Sequence, residues 1–297
     1  MPRKIHVVIN PASGQPQPIL HTLNRIFRAA KVDWSISLTQ ESGDAERFAR
    51  QAAASGADVV AAYGGDGTVM EVARGLLDSQ ALMAILPGGT ANLMSVELGI
   101  PKKLDEAAVV ACSEHSIVRQ VDMGLMGETP FLLRVGMGFA ARKVKLADRQ
   151  LKDKYGMLAY TIAAMKALTK SKMALYHITL DGQAVEIKGL TCLVDNAGNM
   201  GIAGSAPGRN ISVSDGLLDV LLITDPSFSA NVDTAEGKSK ISLPNTYAHW
   251  QARQIEISAE PSQPVQVDGE MAGRTPVSIR VLSQALRVLT PEAKKAK

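Results

Sequence analysis

The feature that most constrains the fold is a short apolar strand followed at once by a glycine-rich turn, which occurs three times in the first third of the chain. Between these units, apolar residues recur at helical spacing, as at Ile19, Leu23, Ile26 and Phe27. Strands that are apolar throughout, alternating with amphipathic helices, predict a parallel sheet with helices on both faces. The strand–turn pairs are 5–9 with 10–14, 58–62 with 64–68, and 82–86 with 87–92.

These turns predict a phosphate-binding edge, because the carboxyl ends of the strands in an open α/β sheet form the usual ligand site. Glycines in the second turn let the main chain approach a polyphosphate, and the following helix offers its positive N-terminus. Asp66 lies between those glycines and supplies a carboxylate that can hold Mg²⁺ or orient a phosphoryl group. One such turn is often only a tight turn, whereas three at successive strands favour a nucleotide site. Neither GxxxxGK[ST] nor GxGxxG is present.

The pattern changes after about Val121, where short strands are joined mainly by turns and predict an antiparallel β-sandwich. We therefore expect an α/β domain over residues 1–122, with residues 282–297 as a candidate completion of it. A sandwich domain over residues 123–281 follows. Residues 225–252 are polar and are interpreted as a long surface loop.

Composition excludes several classes of protein. Hydrophobic residues make up 46% and charged residues 21% of the 297, which excludes a largely disordered chain. Aromatic residues make up 4%, which argues against stacking platforms for nucleic acid, and the net charge of +3 is too small to imply a polyanionic partner. Cys112 and Cys192 have no metal-ligand or disulfide spacing. No leader and no apolar run of about 18 residues is seen, so we expect a cytoplasmic protein that meets a membrane only peripherally.

The segment 142–172 is rich in Lys and Arg and has apolar residues at helical spacing. Two interpretations remain open. A basic helix with an apolar face can lie on anionic lipid headgroups, and the same pattern fits a helix packed on the sandwich with solvated lysines outside.

The second turn, Gly64-Gly65-Asp66-Gly67-Thr68 with Glu71, resembles the signature of the diacylglycerol kinase catalytic family, which includes bacterial lipid kinases, sphingosine kinases and ceramide kinases. Five further blocks are similar to those of the family and follow its order, so that the resemblance runs from about residue 4 to residue 291. These blocks are residues 10–14, 87–92, 121–124, 215–220 and 267–270.

The resemblance implies an ATP-binding domain like that of NAD kinase, a lipid-binding β-sandwich, and transfer of the γ-phosphate of ATP to a lipid hydroxyl. It places the general base at Glu270, with Asp66 as the second candidate. It implies a structural Mg²⁺ site with the Asp215 side chain and the main-chain carbonyls of Ser212 and Leu217. The implied ATP contacts are Asn10, Pro11, Ser13, Gly14, Thr39, Gly65, Asp66, Gly67, Thr68, Glu71, Thr90 and Asn92.

Two positions depart from the family pattern. Gln15 stands where many members have Lys, and Leu93 stands where Asp usually follows the third turn. They keep two alternatives open, namely a kinase of a soluble metabolite such as NAD and a non-catalytic regulator that binds nucleotide or lipid. The expected partners are a lipid substrate at a membrane surface and a second copy of the chain in a homodimer.

Overall fold

The computed structural model describes residues 3–14, 17–138, 173–198, 211–224, 231–233, 240–242 and 247–292. Gln15 and the basic segment 142–172 lie outside these ranges, so the predictions made for them stay predictions. The chain forms two compact units, the first comprising Met1–Val121 with Gln284–Lys297 and the second Asp122–Ser283. No helix among the described residues is long and apolar enough to cross a membrane.

The first unit is the α/β domain that the sequence predicts. The elements are β1 (Lys4–Ile9), α1 (Ile19–Ala29), β2 (Asp33–Leu38), α2 (Asp44–Ala54), β3 (Val59–Gly64), α3 (Asp66–Gly75), β4 (Leu82–Pro87), α4 (Leu93–Glu97), α5 (Leu104–Cys112) and the start of β5 (Ile117–Met126). Its sheet has the order β2-β1-β3-β4, all parallel, and the last residues of β18 (Val277–Thr290) pair in parallel with β4 through Val288 and Met83.

The parallel sheet is buried where its strands are apolar throughout. Every residue of β3 is buried, and Val7 and Val8 of β1 are fully inaccessible. Helix α1 covers the sheet with the apolar face predicted from its spacing, since Leu23, Ile26 and Phe27 are buried. This arrangement leaves the three glycine-rich turns at the carboxyl ends of β1, β3 and β4.

The second unit is antiparallel, as the sequence predicts. One sheet has the order β14-β11-β10-β7-β16-β17, and another contains the first part of β18 with β15, β8 and β9. Buried side chains of both sheets, among them Val135, Val220 and Ile257, belong to one hydrophobic core. The strands are β6 (Thr129–Phe131), β7 (Arg134–Met137), β8 (Ala174–Leu180), β9 (Gln183–Gly189), β10 (Thr191–Asp195), β11 (Leu218–Ile223), β12 (Asn231–Asp233), β13 (Lys240–Ser242), β14 (Tyr247–Ala252), β15 (Gln254–Glu260), β16 (Pro264–Val267), β17 (Glu270–Arg274) and β18 (Val277–Thr290).

The interpretation of residues 225–252 as one surface loop was wrong. Strands β12 and β13 form a small ribbon there, and Tyr247–Ala252 forms β14, which pairs with β11 over its whole length. Strand β14 is polar because it is the edge strand of its sheet and only Ala252 is fully buried. Its His249 contacts a buried acid on β11, a tertiary partner that the local pattern does not reveal.

Candidate active site

The three glycine-rich turns lie side by side in the first unit. The hydrogen bonds of the sheet continue past the strand ends into the turns, because Asn10 donates its N–H to the Tyr63 carbonyl and Gly88 donates to the Gly64 carbonyl, both at 2.9 Å. Thr39, which follows β2, is bound in the same way to Ile9 at 2.9 Å. The predicted meeting of these turns at one edge of the sheet is confirmed.

The turns approach one another so closely that side chains are excluded between them. A Cβ on Gly89 would lie 2.5 Å from Gly65 Cα, which is far inside van der Waals contact. Gly14 has a φ of +81°, and a Cβ there would overlap the Gly88 carbonyl oxygen. The glycines at these two positions are therefore required by the main-chain packing of the turns.

Polar side chains link the turns further. Asn10 donates from Nδ2 to Thr68 Oγ1 at 3.1 Å and accepts at Oδ1 from the Ala12 N–H at 3.0 Å. Thr68 is buried in the first turn of α3. Two of the residues predicted to contact ATP are thus in direct contact, and they fix the first turn against the second.

Asp66 begins α3, and its carboxylate accepts a hydrogen bond from the Leu93 N–H at 2.7 Å. Leu93 is the first residue of α4 and the position where the family usually has Asp. The departure therefore removes a carboxylate from this edge but keeps a main-chain contact with Asp66. The second and third turns are joined by this bond.

Glu71 and Asn92, both predicted to contact ATP, make contacts within the protein. Glu71 accepts from the Ala45 N–H at 3.1 Å and from Ser42 Oγ at 3.3 Å, and so binds the start of α2. Asn92 accepts from the Gly89 N–H at 2.9 Å and donates to the Gly89 carbonyl at 2.7 Å, which closes the third turn. These side chains hold the edge in shape, and their contact with ATP stays a prediction.

Other predicted ATP contacts face solvent and are open to a ligand. Pro11, Gly14, Gly67 and Thr90 are exposed. Ser13, Thr39 and Gly65 are partly exposed. The edge is thus a closely packed main-chain framework with an accessible outer surface. It lies beside the N-terminus of the ten-residue helix α3, where main-chain N–H groups favour an anion.

In the second unit, the loop predicted to hold Mg²⁺ is fixed by Asp122. The buried Asp122 carboxylate accepts from the Gly216 N–H at 2.7 Å, and the Asp122 N–H donates to the Val213 carbonyl at 2.7 Å. The Leu217 N–H donates to Asp215 Oδ1 at 3.1 Å, and the Asp215 side chain is exposed. One carboxylate with main-chain carbonyls from Ser212 and Leu217 is an oxygen donor set that suits Mg²⁺, a cation that keeps several waters. No group of three or more His, Cys, Asp or Glu side chains among the described residues could hold a metal.

Glu270 lies immediately after a two-residue hairpin turn between β16 and β17. Asp268 and Gly269 have φ values of +46° and +90°, as a type I′ turn requires, and Val267 pairs with Glu270 across the hairpin. The Glu270 side chain is exposed. The hairpin turn expected of an Asp-Gly pair is therefore present, and the role of Glu270 as a base stays a prediction.

The sequence analysis missed a buried polar row on the sheet of the second unit. Arg134 Nε lies 3.2 Å from Asp195 Oδ1, and His249 Nε2 lies 2.6 Å from Asp219 Oδ1. Asp195 and Asp219 face each other on β10 and β11 and are almost inaccessible. Burial raises the pKa of Asp195 to about 6 against the effect of Arg134, and burial also raises the pKa of Asp219. Asp195 and Asp219 each lie in a mainly apolar strand, and this is the signal in the sequence from which the buried polar row could have been predicted.

Comparison with known proteins shows two family models that together match most of this chain. Residues 4–126 match the diacylglycerol kinase catalytic domain, and residues 134–290 match the YegS C-terminal NAD kinase beta sandwich-like domain. A protein of Staphylococcus haemolyticus that carries lipid kinase as a provisional name is 30% identical, and the alignment covers 86% of this chain and 85% of that protein. An uncharacterized protein of Synechocystis sp. is 28% identical over 96% of this chain and 70% of its own length. The crystal structure of a diacylglycerol kinase from Bacillus anthracis is 27% identical, with a TM-score of 0.75 and coverage of 98% of each chain.

Proposed function

We propose a lipid kinase activity for this chain, which belongs to the family whose members carry a diacylglycerol kinase catalytic domain followed by a YegS-type β-sandwich domain. The proposed reaction transfers the γ-phosphate of ATP to a hydroxyl of a lipid, such as diacylglycerol, presented at a membrane surface. The observation that carries the proposal is that three glycine-rich turns pack main chain against main chain at the carboxyl edge of the parallel sheet.

The turns supply what a polyphosphate needs. Phosphoryl transfer depends on positioning and on neutralising charge more than on covalent chemistry. Main-chain N–H groups and the N-terminus of α3 would contact the phosphates of ATP at the exposed Gly67 and Thr90. The bonds from Asn10 to Thr68 and from Leu93 to Asp66 hold these groups in place before ATP binds, so little order has to be created on binding.

Mg²⁺ would neutralise phosphate charge in the reaction, and the loop containing Ser212, Asp215 and Leu217 offers oxygen ligands for a structural ion. Asp122 fixes that loop through Gly216. The Leu93 N–H already orients the Asp66 carboxylate, which suits Asp66 to a role beside the phosphates of ATP.

Glu270 is proposed as the general base. The lipid hydroxyl oxygen attacks the γ-phosphorus, the bond to the β–γ bridging oxygen breaks, and ADP leaves with that bonding pair. The hydroxyl proton passes to the Glu270 carboxylate. Asp66 remains the second candidate for the base, and the variants below separate the two.

The test is transfer of radiolabelled γ-phosphate from Mg-ATP to a bacterial lipid extract, with products separated by thin-layer chromatography. We expect a labelled lipid that is lost in Glu270→Gln, with a fall in turnover of about 10²–10⁴-fold, the usual contribution of a general base. Glu256→Gln is the matched control, because Glu256 is an exposed strand glutamate of the same unit, and it should leave turnover unchanged.

Each other outcome has a definite meaning. Full turnover by Glu270→Gln together with loss in Asp66→Asn would move the base to Asp66. Label transferred to an aqueous product other than ATP or inorganic phosphate would indicate a soluble substrate. ATP binding with no labelled product would favour the non-catalytic regulator, and in that case the lipid kinase proposal is wrong.

A further inference from the structure

The second unit contains the same hairpin turn twice. The chain reads Leu-Asp-Gly-Gln at residues 180–183 and Val-Asp-Gly-Glu at residues 267–270. In the first, Asp181 and Gly182 have φ values of +47° and +89°, nearly those of Asp268 and Gly269. In both, the Asp carboxylate accepts main-chain N–H groups from a neighbouring segment. The residue after the turn is Gln183 in one hairpin and Glu270 in the other.

The Asp268 carboxylate binds three consecutive main-chain N–H groups. Oδ2 accepts from Leu132 at 2.9 Å, and Oδ1 accepts from Leu133 at 3.0 Å and from Arg134 at 2.8 Å. The Asp268 N–H donates in return to the Arg134 carbonyl at 2.9 Å. Four hydrogen bonds therefore join the turn that precedes Glu270 to residues 132–134, the segment that leads from β6 into β7.

That segment is itself held from its other side. Asn196 is fully buried and donates from its main-chain N–H to the Leu133 carbonyl at 2.9 Å and from Nδ2 to the Leu132 carbonyl at 2.8 Å. A second bond from Asn196 Nδ2 reaches the Asp122 carbonyl at 2.9 Å. The Asp268 carboxylate therefore binds the N–H groups of a segment whose carbonyls are hydrogen-bonded as well, so the segment is held on both sides.

We propose that Asp268 is a positioning residue for the reaction, because its carboxylate fixes the backbone from which Glu270 projects. The proposal rests on the proposed function, in which Glu270 accepts the proton of the lipid hydroxyl. Glu270 is exposed and follows the turn directly, so a tilt of the hairpin about its turn would move this side chain. Displacement of a reacting group by about 1 Å costs about 10²-fold in rate. Four bonds within two residues of Glu270 restrict that tilt.

The turn and the carboxylate can be separated experimentally. Asparagine tolerates a positive φ better than most residues, so Asp268→Asn keeps the turn. Its amide oxygen can accept from at most two of the three N–H groups, and its NH₂ group faces the third donor. Asp181→Asn makes the same change in the twin turn, where the carboxylate accepts from Arg253 and Gln254. Asp268→Gly is the second variant, since glycine adopts a positive φ freely and removes every carboxylate contact.

The experiment is a double-mutant cycle of Asp268→Asn and Glu270→Gln, read as kcat and as the KM for ATP in the lipid phosphorylation assay. We expect Asp268→Asn to lower kcat by at least tenfold with an unchanged KM for ATP. In the Glu270→Gln background it should lower kcat no further, because the positioned group is gone. Asp181→Asn should leave kcat unchanged, and Asp268→Gly should behave as Asp268→Asn does. Thermal unfolding of each variant gives the loss of stability separately.

The failures are distinguishable. Turnover of Glu270→Gln at the wild-type rate refutes the proposed role of Glu270, and the positioning role with it. If Glu270→Gln is impaired but Asp268→Asn lowers kcat by the same factor in both backgrounds, Asp268 acts only on the fold and the positioning proposal is overturned. An equal loss of kcat in Asp181→Asn, or unchanged kcat in both Asp268 variants, overturns it as well.

Discussion

Replacing Gly89 by alanine tests whether the turns at the candidate active site are packed as closely as the structure indicates. The added Cβ would lie 2.5 Å from Gly65 Cα and 3.0 Å from Asn92 Oδ1. Carbon atoms in contact prefer a separation of about 3.5–4.0 Å, so the second and third turns must move apart by about 1 Å. Neither neighbour can rotate away, because Gly65 offers only main chain and Asn92 is bound at both ends to Gly89.

The expected cost follows from this displacement. Forcing an extra carbon into a well-packed region destabilises a protein by about 1–3 kcal/mol. Each kcal/mol lowers the Tm of a protein of this size by about 2–4 °C, so we expect a fall of roughly 2–12 °C. Separation of the phosphate-binding groups by about 1 Å should also lower turnover by about 10²-fold.

Gly65→Ala is the matched control, because it probes the same contact from the other side. A Cβ on Gly65 would lie 3.6 Å from Gly89 Cα, an ordinary van der Waals distance, and the extended φ of −86° at Gly65 suits any residue. Thermal unfolding followed by circular dichroism should separate the two variants, whereas lipid phosphorylation is compared between Gly89→Ala and the wild type because Gly65 is itself a predicted ATP contact. The packing argument fails if Gly89→Ala unfolds at the wild-type temperature, or if Gly65→Ala loses as much stability.

Two further predictions concern contacts on which the site and the fold depend. Asn10→Ala removes the bond to Thr68 and should destabilise the protein by about 1 kcal/mol and weaken ATP binding, measured by thermal unfolding with and without Mg-ATP; an unchanged shift on adding ATP would contradict it. Asp195 has its pKa raised by burial to about 6 in the folded protein, so the native state binds its proton more tightly than the unfolded state. Its contribution to stability is present at low pH and is lost as pH rises from about 4 to about 6. The loss is roughly 3 kcal/mol, because the pKa is about 4 in the unfolded chain and about 6 in the folded protein. Asp195→Asn should flatten this part of the plot of unfolding free energy against pH, measured by urea unfolding at several pH values. Part of the slope should remain, because burial also raises the pKa values of Asp219 and Asp268. An unaltered slope would exclude Asp195 as its source.

The parts of the fold that the sequence predicted are those specified by local chemistry. The third and fourth strands are almost wholly apolar, and the first is apolar apart from Lys4 and His6, because both faces of the sheet are covered. The turns after the first and fourth strands each contain a glycine required by main-chain packing. The Asp-Gly turn before Glu270 could be predicted for the same reason, since those two residues accept a positive φ.

The parts that escaped prediction depend on partners distant in the chain. Asp268 contacts Leu132 across 136 positions, and no local pattern indicates which N–H groups its carboxylate binds. The sequence of strand β14 was interpreted as a loop because its residues are polar, and its pairing with β11 is not visible in the local pattern. Leu93 lacks the carboxylate that is usual in the family, which kept other functions open, and no pattern in the sequence predicts that its main-chain N–H contacts Asp66.

The twin hairpins have a consequence for how members of this family diverge. The need for a tight turn falls on the Asp-Gly pair in both hairpins, whereas the next residue is Gln183 in one and Glu270 in the other. Under the function and the positioning role proposed above, selection for turnover acts on Asp268 and Glu270 together, while Asp181 and Gly182 are kept for the turn alone. If Glu270 is the base, as proposed, a descendant that kept its shape but no longer phosphorylated lipid would retain the turn while position 270 varied, and the residue at that position would then predict which relatives are active.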